Sequence, residues 1–196
     1  MKTEKIKILD LKPSQISVGM LEVEHRMKDF EHMSQDEFHE YTLKHPVPVV
    51  DSGHGLYIID HHHLCKAYHE LGHKNVHFTI TKDLSKLSRD DFFKEMDSRN
   101  WILPQDQFGV ARSYGNIPMN IRGMADDPFR SLVWKLKELG HWQKVNVPFA
   151  EFKVANYFRD KFVIENTMES FNSVVTLVID YIKNNKETLA NIPGFA

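Results

Sequence analysis

The sequence predicts an α/β fold of the α+β kind: a small mixed sheet with helices around it and a helical C-terminal extension. Three observations predict it. Short β-rich or alternating runs are interleaved with segments of helical period through the first half of the chain. One of these runs, Leu56-Tyr57-Ile58-Ile59, passes at once into a helical pattern. From Pro128 onward the patterning is mainly helical. With 196 residues, 41% of them hydrophobic, the chain can bury a core without covalent staples. Residues 1–125 are expected to form the α/β core and residues 126–196 the helical extension, packed as one compact unit.

Each element has its own signal. Lys5 to Leu11 alternates charged and aliphatic residues, the period of a half-buried strand, and Pro13 closes it. Val18, Leu21, Met27 and Phe30 fall near helical spacing, which predicts a helix over Val18 to Met33. Ser34 with Glu37 three residues on is a capping box opening a second helix that ends before Pro46. Val47 to Val50 and Leu56 to Ile59 flank a loop containing Gly53 and Gly55, hence a hairpin. Leu64, Ala67, Tyr68 and Leu71 then line a helical stripe that stops at Gly72. A strand over Val76 to Thr81 and a helix capped by Ser88 follow. The chain turns irregular through Pro104, Gly109, Gly115 and Pro118. Pro128 opens a helix ended by Gly140, and further helices are expected over Pro148 to Asp160 and Ser170 to Asn184.

Composition narrows the function classes. A net charge of -2 supplies no global field to recruit nucleic acid, so any such contact would depend on a local patch. The single cysteine, Cys65, has no partner for an intramolecular disulfide, and a cytoplasmic, reducing setting is expected. The charged start Met1 to Lys7 lacks the apolar stretch of a secretory signal, and no run approaches a membrane span of roughly 20 residues.

The chemistry is expected at the junction Ile59-Asp60-His61-His62-His63-Leu64. A strand that ends in Asp60 and enters a helix puts the amides of residues 61 to 63 at the positive end of a helix dipole, where phosphate binds. Asp60 sits where an N-cap belongs. The three histidines lie about 100° apart around the helix, so they do not chelate one metal together. One imidazole is expected to pack inward and another to project at the helix mouth, hydrogen-bonding a phosphate or shuttling a proton. The plainer alternative makes Asp60 only a cap and the histidines polar first-turn residues.

These residues, with the glycine loop and strand before them, resemble the central box of the ParB/sulfiredoxin-like superfamily. More narrowly they are similar to the ParB-like nuclease family, whose members carry an I-D-H-H-H-L box. Leu11-Lys12-Pro13-Ser14-Gln15 with Val18-Gly19, Glu22-Val23 and Arg26 or Lys28 resembles that family's opening pattern. Phe92 to Met96 leading to Pro104, Asp106 and Gly109, then Asp126 to Leu132 and Pro148 to Phe152 with Ala155 and Arg159, resemble its later segments. The resemblance covers roughly residues 8 to 162. It implies a box that binds nucleotide phosphates: CTP in partition proteins, ATP in sulfiredoxins and in free-serine kinases with D-G-H-H-R. Here Leu64 replaces that arginine, and Cys65 falls one position past the box, which speaks against sulfiredoxin chemistry.

Other candidates stand outside the box. Glu22 is a candidate base and Arg26 a phosphate ligand, although their spacing of four also suits an ordinary helical ion pair. Arg130 and Ser131 could reach an anion. Asp127, with Asp126, could hold Mg²⁺, or could be the N-cap before Pro128. Glu151 is expected in a structural pair. Trp101, Trp134 and Trp142 lie on separate elements, which suggests core anchors rather than a base-stacking platform. The leading reading is phosphoryl-transfer or phosphodiester chemistry, as a nuclease or a nucleotide-dependent kinase. Asp60, His62, His63 and Glu22 would be catalytic, while His61, His62, His63, Arg26, Arg130 and Ser131 would bind the phosphate. Mg²⁺ with ATP, ADP or CTP would accompany it. The alternative is a nucleotide- or DNA-binding module without turnover, and the oligomeric state stays open.

Overall fold

The computed structural model describes residues 2–195. Strand β1 (Thr3–Lys7) ends in a 3₁₀ turn at Ile8–Asp10, and β2 (Leu11–Lys12) follows, so the strand expected over Lys5 to Leu11 is two strands with a turn between them. The turn brings Ile8 and Leu11, three residues apart, into the same core. β3 (Ser17–Val18) precedes α1 (Met20–Phe30), which is shorter at both ends than the expected helix: Ser17 and Val18 pair in a ladder at its start, and a turn follows Phe30 at its end. α2 (Gln35–Lys44) carries the expected capping box. The Glu37 amide donates to Ser34 Oγ at 3.3 Å and the Ser34 amide donates to Glu37 Oε2 at 2.8 Å.

The hairpin is formed by β4 (Val47–Asp51) and β5 (Leu56–Ile58), and β5 leads into α3 (His62–Glu70). β6 (Asn75–Asp83) and α4 (Arg89–Ser98) follow as read. After the irregular stretch, β7 (Ala125–Asp126) pairs with β3 in parallel and α5 (Pro128–Glu138) begins at once. α6 (Ala150–Arg159), α7 (Met168–Asn184) and a short α8 (Lys186–Leu189), which the sequence patterning did not reveal, complete the chain.

The main sheet is mixed, in the order β1-β6-β4-β5-β2, with β1/β6 and β4/β5 antiparallel and β6/β4 and β5/β2 parallel. The neighbours Val49 and Val50 on β4 show its two-sided burial. Val49 joins the cluster of α1, α2 and α3, while Val50 joins Phe92, Phe93 and Met96 of α4. A third cluster is built from α5, α6, α7 and α8, and Leu21 of α1 packs against it. No described helix is long and apolar enough to cross a membrane.

The junction between β3 and α1 sets the position of everything around the site. A Cβ added at Gly19 would lie 2.6 Å from the Ser131 amide nitrogen, so only glycine lets α1 start this close to α5. Asp126 stands in for the missing cap: the Met20 amide donates to its Oδ1 at 2.9 Å. The Leu21 amide donates to Ser131 Oγ at 3.2 Å. Two elements distant in sequence thus satisfy two of the open amides of α1.

Candidate functional site

The box opens differently from the expected cap. His61, not Asp60, is the N-cap of α3, and it adopts a left-handed conformation with φ 69° and ψ 24°. Asp60 lies one residue outside the helix, exposed, with its Oδ1 accepting from the His61 amide at 2.6 Å. No side chain caps α3. Of the three amides expected to be free, that of His61 is therefore taken. Those of His62 and His63 have no acceptor among the described residues. Nδ1 of His61 is buried without a hydrogen-bond partner.

Both following imidazoles are tied to the segment before α1. His62 is 4% exposed, and its Nε2 accepts from the Ser14 amide at 3.1 Å, with Ser14 Oγ at 3.2 Å. His63 Nε2 accepts from the Gly19 amide at 3.1 Å and lies 3.4 Å from Glu22 Oε2. An amide can only donate, so Nε2 is unprotonated in both rings and Nδ1 carries the proton. Burial pushes His62 down to about 3 and His63 well below the usual histidine range. His62 packs inward, and Nε2 of both His62 and His63 is committed to the main chain, while His61 at the helix mouth lines the cleft.

The box faces a cleft of about 690 Å³ between the α3 terminus, α1, α5 and the start of α6. Glu22 and Arg26 form the foreseen pair, with Arg26 Nη2 2.7 Å from Glu22 Oε1, and both line this cleft. Arg130 reaches it from α5. Its guanidinium is buried, lies 3.8 Å from the centroid of Phe152 and leaves Nη1 without a partner. Arg99, Lys137 and Lys144 also line the cleft, against the carboxylates Glu22, Asp60 and Glu151, so the lining carries an excess of positive charge.

Backbone strain gathers in the same place. The described chain has three non-glycine residues at positive φ, His61, Asn100 and Phe149, and all three line the cleft. Each such residue costs on the order of 1–3 kcal/mol and persists where the surroundings require it, which is characteristic of ligand sites. Phe149 is the N-cap of α6 and, like His61, gives its helix no side-chain cap. Two uncapped helix starts therefore open on one cavity.

Several sequence expectations need correction. Ser131 does not reach the cleft: it is 1% exposed and its hydroxyl accepts the Leu21 amide. Asp127 is not available to a metal. Its Oδ1 accepts from the Phe129 amide at 3.0 Å, capping α5, and its Oδ2 binds Arg159 Nη2 at 2.6 Å. Trp101, Trp134 and Trp142, read as scattered, all border the cleft. Trp142 is a core anchor whose Nε1 donates to Pro193 O at 2.7 Å, whereas Trp101 and Trp134 are partly exposed. Lys144 and Asn100 were not singled out at all. An asparagine just past the end of α4, where it adopts a left-handed conformation, is the one local signal for it.

Comparison with known proteins agrees with the box. Residues 4–160 match a family model described as "Putative ParB-like nuclease". The chain belongs to that family. The match runs through α6, so the ParB-like unit includes α5 and its Arg130. The crystal structure of protein Atu1540 from Agrobacterium tumefaciens is similar at 34% identity and a TM-score of 0.88, over 100% of this chain and 98% of that one. A search of curated proteins gave no match.

The fixed tautomers of this ParB-like box have a measurable consequence. His62 and His63 are neutral when folded but gain a proton near pH 6.5 when unfolded. Their contribution is present above that pH and is lost as pH falls toward the depressed folded values, about 3 for His62. In that window each ring adds a slope approaching about 1.4 kcal/mol per pH unit. Urea unfolding between pH 7.5 and 4.5 should show the decline, and His62→Gln should make it shallower. A flat profile would refute the buried, neutral rings.

Proposed function

We propose that the cleft binds a nucleotide-type phosphate ester and performs phosphoryl-transfer or phosphodiester chemistry on it. The phosphate lies over the open amides of His62 and His63 and is held by Arg130 and Arg26. Glu22 accepts the proton of the attacking hydroxyl or water. The partly exposed faces of Trp101 and Trp134 suit the base. Arg130 carries the reading: a buried cation with an unpartnered Nη1, facing a cavity beside an uncapped helix, lacks only an anion. No group of three His, Cys, Asp or Glu side chains converges among the described residues, so a protein-built Mg²⁺ cage does not fit. Mg²⁺ would arrive on the phosphates instead.

A second reading, binding without turnover, is favoured by the commitment of both imidazole Nε2 atoms to main-chain amides. Calorimetric titration with ATP, ADP, CTP and pyrophosphate, with and without Mg²⁺, tests the shared part. Binding by at least one, with a stabilisation of about 2.7 kcal/mol at a hundred times Kd, is expected. No heat and no melting shift with any of them would overturn the proposal. Release of phosphate or nicking of plasmid DNA then separates the readings. If the cleft is catalytic, Glu22→Gln should retain binding and lose turnover by about 10²-fold or more.

A further inference from the structure

A second pocket, of about 270 Å³, lies between α2, the turn joining α3 to β6, and the edge strand β1. None of its lining residues borders the cleft. Lys5, Lys74, His39, His73 and His77 line it, and no carboxylate does. Lys5 and Lys74 are exposed, while His77 is 6% exposed. The His73 ring stacks on Phe38 at 3.5 Å and is fixed in place.

The partners of His77 suit its protonated ring. Thr42 Oγ1 lies 3.1 Å from His39 O and 2.8 Å from His77 Nδ1, so in the protonated ring Nδ1–H donates to Oγ1 while the hydroxyl proton goes to His39 O. Nε2–H of that ring is left for a ligand, since no side chain or backbone group of the described residues bonds to Nε2. Burial first, then the charges of His39 and Lys5, hold His77 below its ordinary range. An anion beside Lys5 offsets those two positive charges.

We propose that this pocket is a second anion site, taking one tetrahedral phosphate or sulfate group, with the His77 ring gaining a proton from solvent as the dianion binds and presenting Nε2–H to it. Lys5, Lys74 and protonated His77 then donate to it. His39 from α2 and His73 from the turn are the other titratable groups facing it. The site is independent of the cleft.

Sulfate is the first probe because its charge is constant over the pH range used. Titration followed by the ring resonances of His39 and His77 should show saturable shifts, with affinity rising at least fivefold from pH 8 to pH 6. The Lys5→Ala/Lys74→Ala double variant replaces exposed side chains and should fold, while weakening sulfate at least tenfold. Inorganic phosphate and phenyl phosphate distinguish the sources: tighter phenyl phosphate assigns a phosphate monoester, and the reverse assigns the free anion. Unmoved ring signals at saturating sulfate, or equal affinity in the double variant, would overturn the proposal. Since the readout is local to these rings, the result does not depend on the nucleotide titration of the cleft.

Discussion

Arg130→Met is expected to raise the melting temperature while weakening nucleotide or pyrophosphate binding at least a hundredfold. The two effects have one cause. Arg130 is 6% exposed, forms no salt bridge among the described residues, and leaves Nη1 unpartnered. Burial lowers its pKa, the mark of a cation poorly solvated where it sits. Removing an unsatisfied buried group returns about 1–3 kcal/mol, which is several degrees in a domain of this size. Methionine fills similar volume and packs on the Phe152 ring where the guanidinium now lies. A charge-assisted bond to phosphate lost from a desolvated site costs about 2.8 kcal/mol for a hundredfold change. Thermal melts and calorimetric titration of the same preparation check both halves. A variant that binds as before, or that melts lower, would make Arg130 a structural residue.

The parts of the fold legible in the sequence were those with local causes. Ser34 and Glu37 made a capping box because both halves of that interaction lie within one turn. Pro128 and Gly140 marked the ends of α5 for similar local reasons. The split between β1 and β2 was hidden, because period-two alternation continues through a turn that the burial of Ile8 and the pairing of its amide with Lys74 O decide. The box was found as a motif, yet its geometry was misread at Asp60. A non-glycine residue in a left-handed N-cap has no propensity signal, and only tertiary packing holds His61 there. The fates of His62 and His63 depended on Ser14 and Gly19, more than forty residues away. Convergence of Trp101 from the stretch after α4, Trp134 from α5 and Trp142 from the loop after α5 is likewise a property of the tertiary fold, not of spacing.

Asp127→Ala should destabilise the protein by about 3–5 kcal/mol, and it tests whether this carboxylate is structural. Asp127 is 1% exposed and serves two partners at once, the first amides of α5 and the Arg159 guanidinium. Burial pushes its carboxyl up while Arg159 pulls it down, so the pair stays viable only with both members present. Truncation leaves Arg159, 14% exposed at its side chain, without its carboxylate. Breaking such a pair costs about 3–5 kcal/mol, more than the roughly 1 kcal/mol of a cap alone. Asp127→Asn retains an oxygen for the α5 amides and should fall between parent and alanine. Adding Arg159→Met to Asp127→Ala should recover part of the loss, because the orphaned charge goes with it. Urea unfolding of the parent, Asp127→Ala, Arg159→Met and the double variant measures the cycle, with Asp127→Asn beside them, and an alanine variant as stable as the parent would refute it. Arg130 sits one turn into the helix that Asp127 starts, so the alanine variant should also bind nucleotide more weakly. That loss should be smaller than in Arg130→Met, because the guanidinium is displaced and not removed.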